Sequence, residues 1–303
     1  MKTLFIDCND QLAPVFDKMF DPARDHPVAV NHQGRVTNEE LPTLLKGVAV
    51  VMDDHSYLPT EWVKQCPDLK HVVFLGTGAA SYMNVDELAG LGVKVHTIKG
   101  YGDTAVAEHA FALMWAAARQ VPLQDANVRT GKWVSLPGPQ LTGKTLGIIG
   151  LGGIGAEMAR LCGGMGMKVV GWNRTPRNVP GVTNVELDTL LSTADVVSLH
   201  LLLGDETRGF LSKERLSKLK PGAILVNTSR GAIIDEPALV ALLEKGTIRA
   251  GLDVFETEPL PGDHPLTRLP GVALTAHCAF RTPEASETLI RRALDIVNKV
   301  ARG

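Results

Sequence analysis

The sequence predicts an α/β protein with two doubly wound parallel-sheet domains, and three observations favour this class. Short β-branched runs alternate with helical patterns along nearly the whole chain. Continuous apolar runs such as GVAVVM (47–52) suit strands that helices cover on both faces, as in parallel sheets. The length of 303 residues corresponds to about two domains.

The first α/β series predicts a flavodoxin-like domain. We assign residues 1–101 to it, together with 283–303, because the final helix from Pro283 onwards is longer than the second sheet requires. The expected strands are Thr3–Ile6, Val48–Met52, Val72–Leu75 and Val93–His96. The expected helices between or beside them are Leu12–Phe20, Thr60–Gln65 and Val85–Leu91.

The second series begins after a long helix that runs from Thr104 to about Arg119. Pro122 and the segment Trp133–Pro139 then break the helical pattern. Six strands with interleaved helices indicate a Rossmann-type dinucleotide-binding sheet, and we assign residues 102–282 to this domain. The expected strands are Thr145–Gly150, Lys168–Trp172, Val196–Leu201, Ala223–Ser229, Ala250–Val254 and Val272–Thr275.

Composition excludes several functional classes. Lys and Arg total 31 and Asp and Glu total 33, so the net charge of −2 offers no electrostatic surface for nucleic acid or an anionic membrane. No window resembles a signal peptide or a membrane helix, so we expect a cytoplasmic protein. The four cysteines are widely spaced without a CxxC pair, which argues against a disulfide framework, and we expect no bound metal.

A glycine-rich turn follows the first strand of the second series. Gly150, Gly152 and Gly155 form a GxGxxG pattern that leads into a helix and then into another strand, as dinucleotide-binding turns do. The first glycine allows a tight turn, the second allows close approach of a pyrophosphate, and the third allows the helix to pack on the strand. With Gly153 and Ile154, the helix N-terminus would offer N–H groups to the phosphates. The alternative is a purely structural turn.

The end of the next strand predicts which dinucleotide is bound. An acidic residue there would bind the ribose 2′-hydroxyl of NAD, but the sequence instead has Asn173, Arg174, Thr175 and Arg177. Guanidinium groups suit a 2′-phosphate, so we predict NADP as the cofactor, with Arg174 as its main contact and NAD as the alternative. The competing interpretation is that these arginines form a solvated loop.

Three polar residues follow consecutive strands of the second sheet. Arg230 follows AILVNTS, Glu258 follows AGLDV and His277 follows VALT, so all three are expected at the carboxyl edge where ligands bind. Arg230 would bind a substrate carboxylate and polarise the carbonyl, and His277 would exchange a proton with the carbonyl oxygen. Glu258 would fix the imidazole tautomer. Taken singly, each residue also has a structural explanation: a loop ion pair, a surface charge or a buried histidine.

With these motifs in place, the chain resembles the D-isomer-specific 2-hydroxyacid dehydrogenase family over essentially its whole length. The Asn-Thr-Ser-Arg-Gly and Gly-Leu-Asp-Val-Phe-Glu blocks are more specific to this family than GxGxxG is. The matching stretches are 106–119, 143–155, 199–211, 219–239, 251–259 and 275–285.

The resemblance implies an NAD(P)-dependent reductase that converts a 2-ketoacid into a D-2-hydroxyacid. It implies the same catalytic residues, and it implies Asp253 as the hydrogen-bond partner of the nicotinamide amide. Further cofactor contacts are implied at His200, Thr228 and Ser229. The substrate carboxylate is expected against the backbone of a turn in the first domain, formed by Gly76, Thr77, Gly78 and Ala79.

Several positions depart from the family pattern. Ala276 precedes the histidine, and Phe280 and Arg281 stand where smaller residues are expected. Asp54 lies in a segment that lacks an Arg-Ser pair, and Asp103 stands where asparagine is common. If these carboxylates face the substrate, they disfavour a second carboxylate on it. We therefore expect a small monocarboxylate such as glyoxylate or hydroxypyruvate.

Two other functions stay open. One alternative is a non-catalytic protein that senses a dinucleotide or acts as a co-regulator on the same fold. The other is a different substrate, an inorganic oxyanion or a larger ketoacid. We also expect a homodimer, because the helix from Thr104 is apolar on more than one face.

Overall fold

The computed structural model describes residues 1–34 and 36–302. The chain forms two compact units. Unit 1 comprises Met1–Gly102 and Arg281–Gly303, and unit 2 comprises Asp103–Phe280. No helix among the described residues is long and apolar enough to span a lipid bilayer.

Unit 1 contains a five-stranded parallel sheet. Its strands are β1 (Thr3–Phe5), β2 (Ala29–Val30), β3 (Val50–Asp53), β4 (His71–Phe74) and β5 (Lys94–Thr97). The order β2-β1-β3-β4-β5 is that of a flavodoxin-like sheet, with the switch point between β1 and β3. Strand β2 was not predicted, because two residues are too few to show a strand pattern.

Helices cover both faces of this sheet. They are α1 (Ala13–Met19), α2 (Leu41–Leu44), α3 (Thr60–Val63), α4 (Val85–Gly90) and the C-terminal α11 (Pro283–Ala301). The Asp25 carboxylate anchors α11, since it accepts hydrogen bonds from both terminal nitrogens of Arg291, at 2.6 and 2.9 Å, and from the Asn298 amide at 2.8 Å. Leu289, Ile290 and further apolar residues of α11 complete a buried cluster with the sheet.

Unit 2 contains a seven-stranded parallel sheet. Its strands are β6 (Thr145–Ile149), β7 (Lys168–Trp172), β8 (Val182–Asn184), β9 (Val196–Leu199), β10 (Ile224–Asn227), β11 (Arg249–Leu252) and β12 (Val272–Leu274). The order is β12-β11-β10-β9-β6-β7-β8. The expected six strands are therefore corrected to seven. The additional strand, β8, lies at the sheet edge, and only one of its three residues is apolar.

The helices of unit 2 are α5 (Asp103–Ala118), α6 (Val121–Arg129), α7 (Gly153–Gly164), α8 (Leu187–Thr193), α9 (Lys213–Leu216) and α10 (Glu236–Glu244). Pro122 separates α5 from α6, but it lies in the first turn of α6, where its missing N–H costs no hydrogen bond. Helix α5 packs on α7, β10 and β11, and a side chain at Gly251 would collide with Leu113. Most apolar residues of α5 are consequently buried within unit 2.

Candidate active site

Arg230, Glu258 and His277 lie at one edge of the unit 2 sheet. They follow β10, β11 and β12, which are parallel neighbours, so their carboxyl ends meet at the same edge. The Arg230 charge is near enough to Glu258 to contribute to lowering its pKa.

His277 and Glu258 form a direct pair. Nδ1 of His277 lies 2.7 Å from Oε2 of Glu258, and the other carboxylate oxygen accepts the Phe255 N–H at 2.9 Å. Burial raises the pKa of Glu258, but these hydrogen bonds and the Arg230 charge outweigh it and hold the pKa below its ordinary value. A carboxylate on Nδ1 favours the tautomer in which Nδ1 carries the proton, which leaves Nε2 for proton exchange.

The backbone of His277 is held in an unusual conformation. Its φ of +48° lies in the left-handed region, which costs a non-glycine residue energy unless its surroundings enforce it. The His277 N–H donates to the Asp253 carbonyl at 2.8 Å, and the Asp253 carboxylate accepts the N–H groups of Cys278 and Ala279, each at 2.9 Å. Asp253 therefore holds the loop that carries the imidazole.

The Asp253 carboxylate has two further partners. Thr275 Oγ1 donates to it at 2.6 Å, and Nε2 of His109 lies 3.5 Å away. Burial raises its pKa, but the hydrogen bonds from His109, Thr275 and the loop lower it to about 2. His109, Asp253 and Cys278 could hold a metal ion by spacing alone, but their polar atoms already serve this network. Burial raises the pKa of the Cys278 thiol, so it is a poor nucleophile.

A buried asparagine shapes the Arg230 turn. The Asn227 amide donates to the Arg230 carbonyl at 2.9 Å, and its oxygen accepts the Ser229 N–H at 2.9 Å. A side chain at Gly231 would overlap the Phe255 backbone, so only glycine fits there. No role was predicted from the sequence for Asn227, His109 or Thr275. Asn227 belongs to a quoted family block, whereas only the folded chain brings His109 and Thr275 together.

The glycine-rich turn between β6 and α7 has the form that a dinucleotide requires. Gly150 has a φ of +101°, and a side chain there would overlap the His200 carbonyl; one at Gly155 would overlap the Gly150 carbonyl. Gly152 precedes α7 without a capping side chain and has open space around it. The first N–H groups of α7 can therefore bind phosphates.

Ile154 and Asp103 lie next to the glycine-rich turn. Ile154 packs against the apolar cluster beneath α7. The Asp103 carboxylate lies against Gly153, at the first position of α7. Asp103 thus places a negative charge close to the N–H groups that would bind phosphates.

Unpartnered buried atoms lie at the same sheet edge. Among the described residues, Thr228 Oγ1 and Nδ1 of His200 are buried without a hydrogen-bond partner. Nε2 of His200 lies 2.9 Å from Ser198 Oγ, and burial lowers the pKa of His200 to about 4, so its ring is neutral. Ser229 Oγ donates to the Leu199 carbonyl at 2.8 Å. The glycine cradle and these free atoms fit a bound dinucleotide, with Thr228 and His200 at its polar groups.

The loop after β7 contains the predicted 2′-phosphate contacts. Asn173 bridges the loop to the glycine turn, accepting the Leu151 N–H at 3.0 Å and donating to the Thr175 carbonyl at 2.6 Å. Arg177 donates to the Leu151 carbonyl at 3.1 Å. Arg174 is largely exposed and forms an ion pair with Glu206. Its guanidinium is therefore at the surface but has a competing partner.

In unit 1, the turn Gly76–Ala79 follows β4. Gly76 N–H donates to the Phe74 carbonyl at 2.9 Å, so it is not available to a ligand. The N–H groups of Thr77, Gly78 and Ala79 donate to no acceptor among the described residues. Three successive free N–H groups form a concavity suited to a carboxylate.

The residues that depart from the family pattern also have defined surroundings. Asp54 is buried, and its Oδ2 lies 2.7 Å from Nδ1 of His55, so its charge has a local partner. The Phe280 ring packs edge-on against His277, with the ring centroids 6.2 Å apart. The bulk of Phe280 therefore restricts movement of the imidazole.

Comparison with known proteins identifies this arrangement. Residues 111–279 match the D-isomer specific 2-hydroxyacid dehydrogenase, NAD binding domain. The chain is 35% identical to the D-3-phosphoglycerate dehydrogenase of Archaeoglobus fulgidus over 96% of its own length, and spans 56% of that relative. It is 40% identical to the glyoxylate reductase of Korarchaeum cryptofilum, over 74% of this chain and 72% of that one. An acyclic imino acid reductase solved with NADPH and D-Arg is 30% identical, with a TM-score of 0.88 and coverage of 100% of this chain and 98% of that one.

The fold and the glycine turn define a nucleotide-binding α/β protein with two parallel sheets. The chain belongs to the D-isomer specific 2-hydroxyacid dehydrogenase family, as its sequence motifs predicted. It is therefore related to the NAD(P)-dependent 2-hydroxyacid dehydrogenases.

Proposed function

We propose that this protein reduces a small 2-ketoacid to the D-2-hydroxyacid with NADPH. The observation that carries the proposal is the His277–Glu258 pair at 2.7 Å, beside the Arg230 charge and at the same sheet edge as the glycine-rich turn. Any one of these groups has a structural explanation, but together they supply a proton donor, its orienting carboxylate and a binding group for an acid.

In the proposed reaction, the bound cofactor supplies the hydride. His277 donates its Nε2 proton to the carbonyl oxygen, which gains negative charge as the carbonyl carbon is reduced. Glu258 accepts the Nδ1–H throughout, which keeps the imidazole oriented and stabilises its protonated form. Arg230 binds the substrate carboxylate and polarises the carbonyl. In the reverse direction His277 removes the hydroxyl proton.

We propose that this turn of unit 1 binds a carboxylate through the free N–H groups of Thr77, Gly78 and Ala79. The preference for a monocarboxylate rests on the sequence, in which Asp54 and Asp103 depart from the family pattern; in the structure Asp103 lies against the glycine-rich turn and Asp54 pairs with His55. Glyoxylate and hydroxypyruvate are the proposed substrates, and the match to a glyoxylate reductase supports that choice.

Arg174 supports NADPH rather than NADH as the cofactor. No acidic residue follows β7, and the exposed guanidinium can exchange its Glu206 partner for a 2′-phosphate. We propose that Arg177 and Asn173 hold the loop in place and that Asp253 contacts the nicotinamide amide in addition to holding the His277 loop.

The proposed function is tested with a panel of 2-ketoacids, each assayed with NADPH and with NADH. We expect NADPH oxidation with glyoxylate and hydroxypyruvate, and little with oxaloacetate or 2-oxoglutarate. Robust turnover of the dicarboxylates would overturn the substrate assignment. Tight NADPH binding without turnover of any member would instead indicate a dinucleotide-sensing protein.

We further propose that the protein acts as a homodimer. Helix α5, the surface expected from the sequence, is largely buried within unit 2, but Val128, Trp133 and Val134 beyond it are exposed, Trp133 by 91%. A second copy covering this segment would remove that apolar surface from water. Sedimentation of the wild type and of Trp133→Ser tests this: we expect a dimer that the substitution weakens, and a monomer at micromolar concentration would contradict it.

A further inference from the structure

A cavity of about 430 Å³ in unit 1 is lined by residues to which the proposed function assigns no role. The lining residues are His71, Lys94, His96, Ile296, Lys299 and Val300. Their convergence follows from the fold. His71 pairs with Lys94 in the register of β4 and β5, and His96 lies two residues on, on the same face of the sheet as Lys94. Ile296, Lys299 and Val300 are three and four residues apart on α11, which packs over β4.

The polar part of this cavity is basic. Nδ1 of His71 lies 3.1 Å from Nε2 of His96, so one ring donates to the other. Two ammonium groups, Lys94 and Lys299, complete the polar lining, and none of the lining residues is acidic. Burial lowers the pKa of both histidines, and the charge of Lys94 lowers both further. The pKa of His96 is also lowered by His71 and by Lys299.

The cavity is separate from the substrate turn. His71 and Lys94 are the first residues of β4 and β5, whereas the turn Gly76–Ala79 follows the carboxyl end of β4. The cavity therefore lies beside the amino end of β4 and along β5, whereas the turn with free N–H groups follows the carboxyl end of β4. The apolar wall formed by Ile296 and Val300 leaves room for an organic group beside a charged one.

We propose that this cavity is a second binding site, for a dianionic phosphate group held by Lys94 and Lys299 with the His71–His96 pair as the adjustable partner. Two ammonium groups attract a dianion and repel a metal cation. A phosphate oxygen near the rings would replace the His–His hydrogen bond and favour a protonated imidazole, which adds a charge-assisted bond. The group can come from inorganic phosphate or from a phosphate monoester.

The test follows the ring C–H signals of the histidines by NMR while inorganic phosphate is added to the full-length protein. We expect saturable shifts of the His71 and His96 signals and a rise of their pKa values when phosphate binds. Because His71 and His96 line this cavity, shifts of their ring signals report phosphate bound here and not phosphate bound at the N-terminus of α7. A parallel titration with glycerol phosphate distinguishes the sources, because an ester that binds more tightly would be using the apolar wall.

The test variant carries both Lys94→Ala and Lys299→Ala. The control is Lys64→Ala, because Lys64 is an exposed lysine elsewhere in unit 1. We expect the double variant to bind phosphate at least about tenfold more weakly, the effect of losing charge-assisted hydrogen bonds, and the control to bind normally. Thermal unfolding of each variant establishes that it is folded. Three results would overturn the proposal. The first is that chloride at matched ionic strength shifts the His71 and His96 signals as much as phosphate does. The others are undiminished phosphate binding by the double variant and saturable binding of Zn²⁺ in place of phosphate.

Discussion

The Nδ1 atom of His277 lies 2.7 Å from Oε2 of Glu258, although the two residues are 19 positions apart in the chain. Two adjacent parallel strands bring them together, and the loop that carries His277 is fixed by the carboxylate of Asp253. The imidazole thus has a defined partner and a defined backbone before any ligand binds. Such preorganisation is what a general acid requires.

Glu258→Gln should lower kcat by about 100-fold while leaving NADPH affinity unchanged. A neutral amide cannot stabilise a protonated imidazole as a carboxylate does, and it can present its N–H to Nδ1 and select the wrong tautomer. Because the pKa of Glu258 is lowered, the wild-type pair keeps its charged carboxylate at mildly acid pH. Steady-state kinetics checks this, with the exposed Glu256→Gln as the control; an unchanged kcat would exclude the assigned role.

Asp253→Asn should lower kcat and destabilise the fold by about 2 kcal/mol, because the carboxylate has a pKa of about 2 against an ordinary value of 3.8. Since the folded pKa is the lower one, this stabilisation is present above pH 3.8 and is lost as the pH falls to about 2.

Urea unfolding and NADPH titration separate the two roles of Asp253. Lower kcat with unchanged NADPH affinity indicates that Asp253 positions the loop. A weaker NADPH complex indicates that it also contacts the nicotinamide. Full kcat in the variant would show that the His277 loop does not depend on this carboxylate.

Arg174→Ala should raise the KM for NADPH by about tenfold and leave the KM for NADH unchanged. The guanidinium is expected to form a charge-assisted bond with the 2′-phosphate, which NADH lacks. Arg129→Ala on α6 is a matched control, because Arg129 is also exposed and paired with a carboxylate, Asp125. If both cofactors lose affinity equally, or neither does, Arg174 does not select between them.

Asp25→Ala should destabilise the protein by about 3–5 kcal/mol, because it leaves the Arg291 guanidinium without its buried partner. Asp295→Ala removes a second, half-exposed partner of the same arginine and should cost less than about 1 kcal/mol. Urea unfolding at pH 7 compares the two, and equal losses would contradict the anchoring of α11 by Asp25. The pKa of Asp25 is lowered, so this stabilisation is present above its ordinary pKa of 3.8 and fades as the pH falls below it.

The sequence was sufficient to predict the features that have a strong local signal. Continuous apolar runs indicate buried parallel strands, and the glycine spacing at Gly150–Gly155 is informative because it stands between a predicted strand and a predicted helix. Strand β8 was missed because an edge strand needs few apolar residues, and α6 was missed because Pro122 was taken as a break rather than a first-turn residue.

Part of the site could not be predicted because it depends on contacts between distant segments. His109 reaches Thr275 across 166 residues of sequence, and nothing in either local pattern indicates the pairing. The sequence places Gly76 in the turn expected to bind the substrate carboxylate, but its N–H donates to the Phe74 carbonyl, a detail of turn geometry that residue types do not specify. The ion pair between Arg174 and Glu206 likewise joins two exposed loops with no shared motif.

The role of His277 as the proton donor is tested by NADPH oxidation with glyoxylate and hydroxypyruvate, compared between the wild type and His277→Ala. We expect turnover by the wild type and a kcat that is about 100-fold to 10,000-fold lower in the variant, with NADPH still bound, because the imidazole donates the proton. A variant that reduces either ketoacid at the wild-type rate would contradict it.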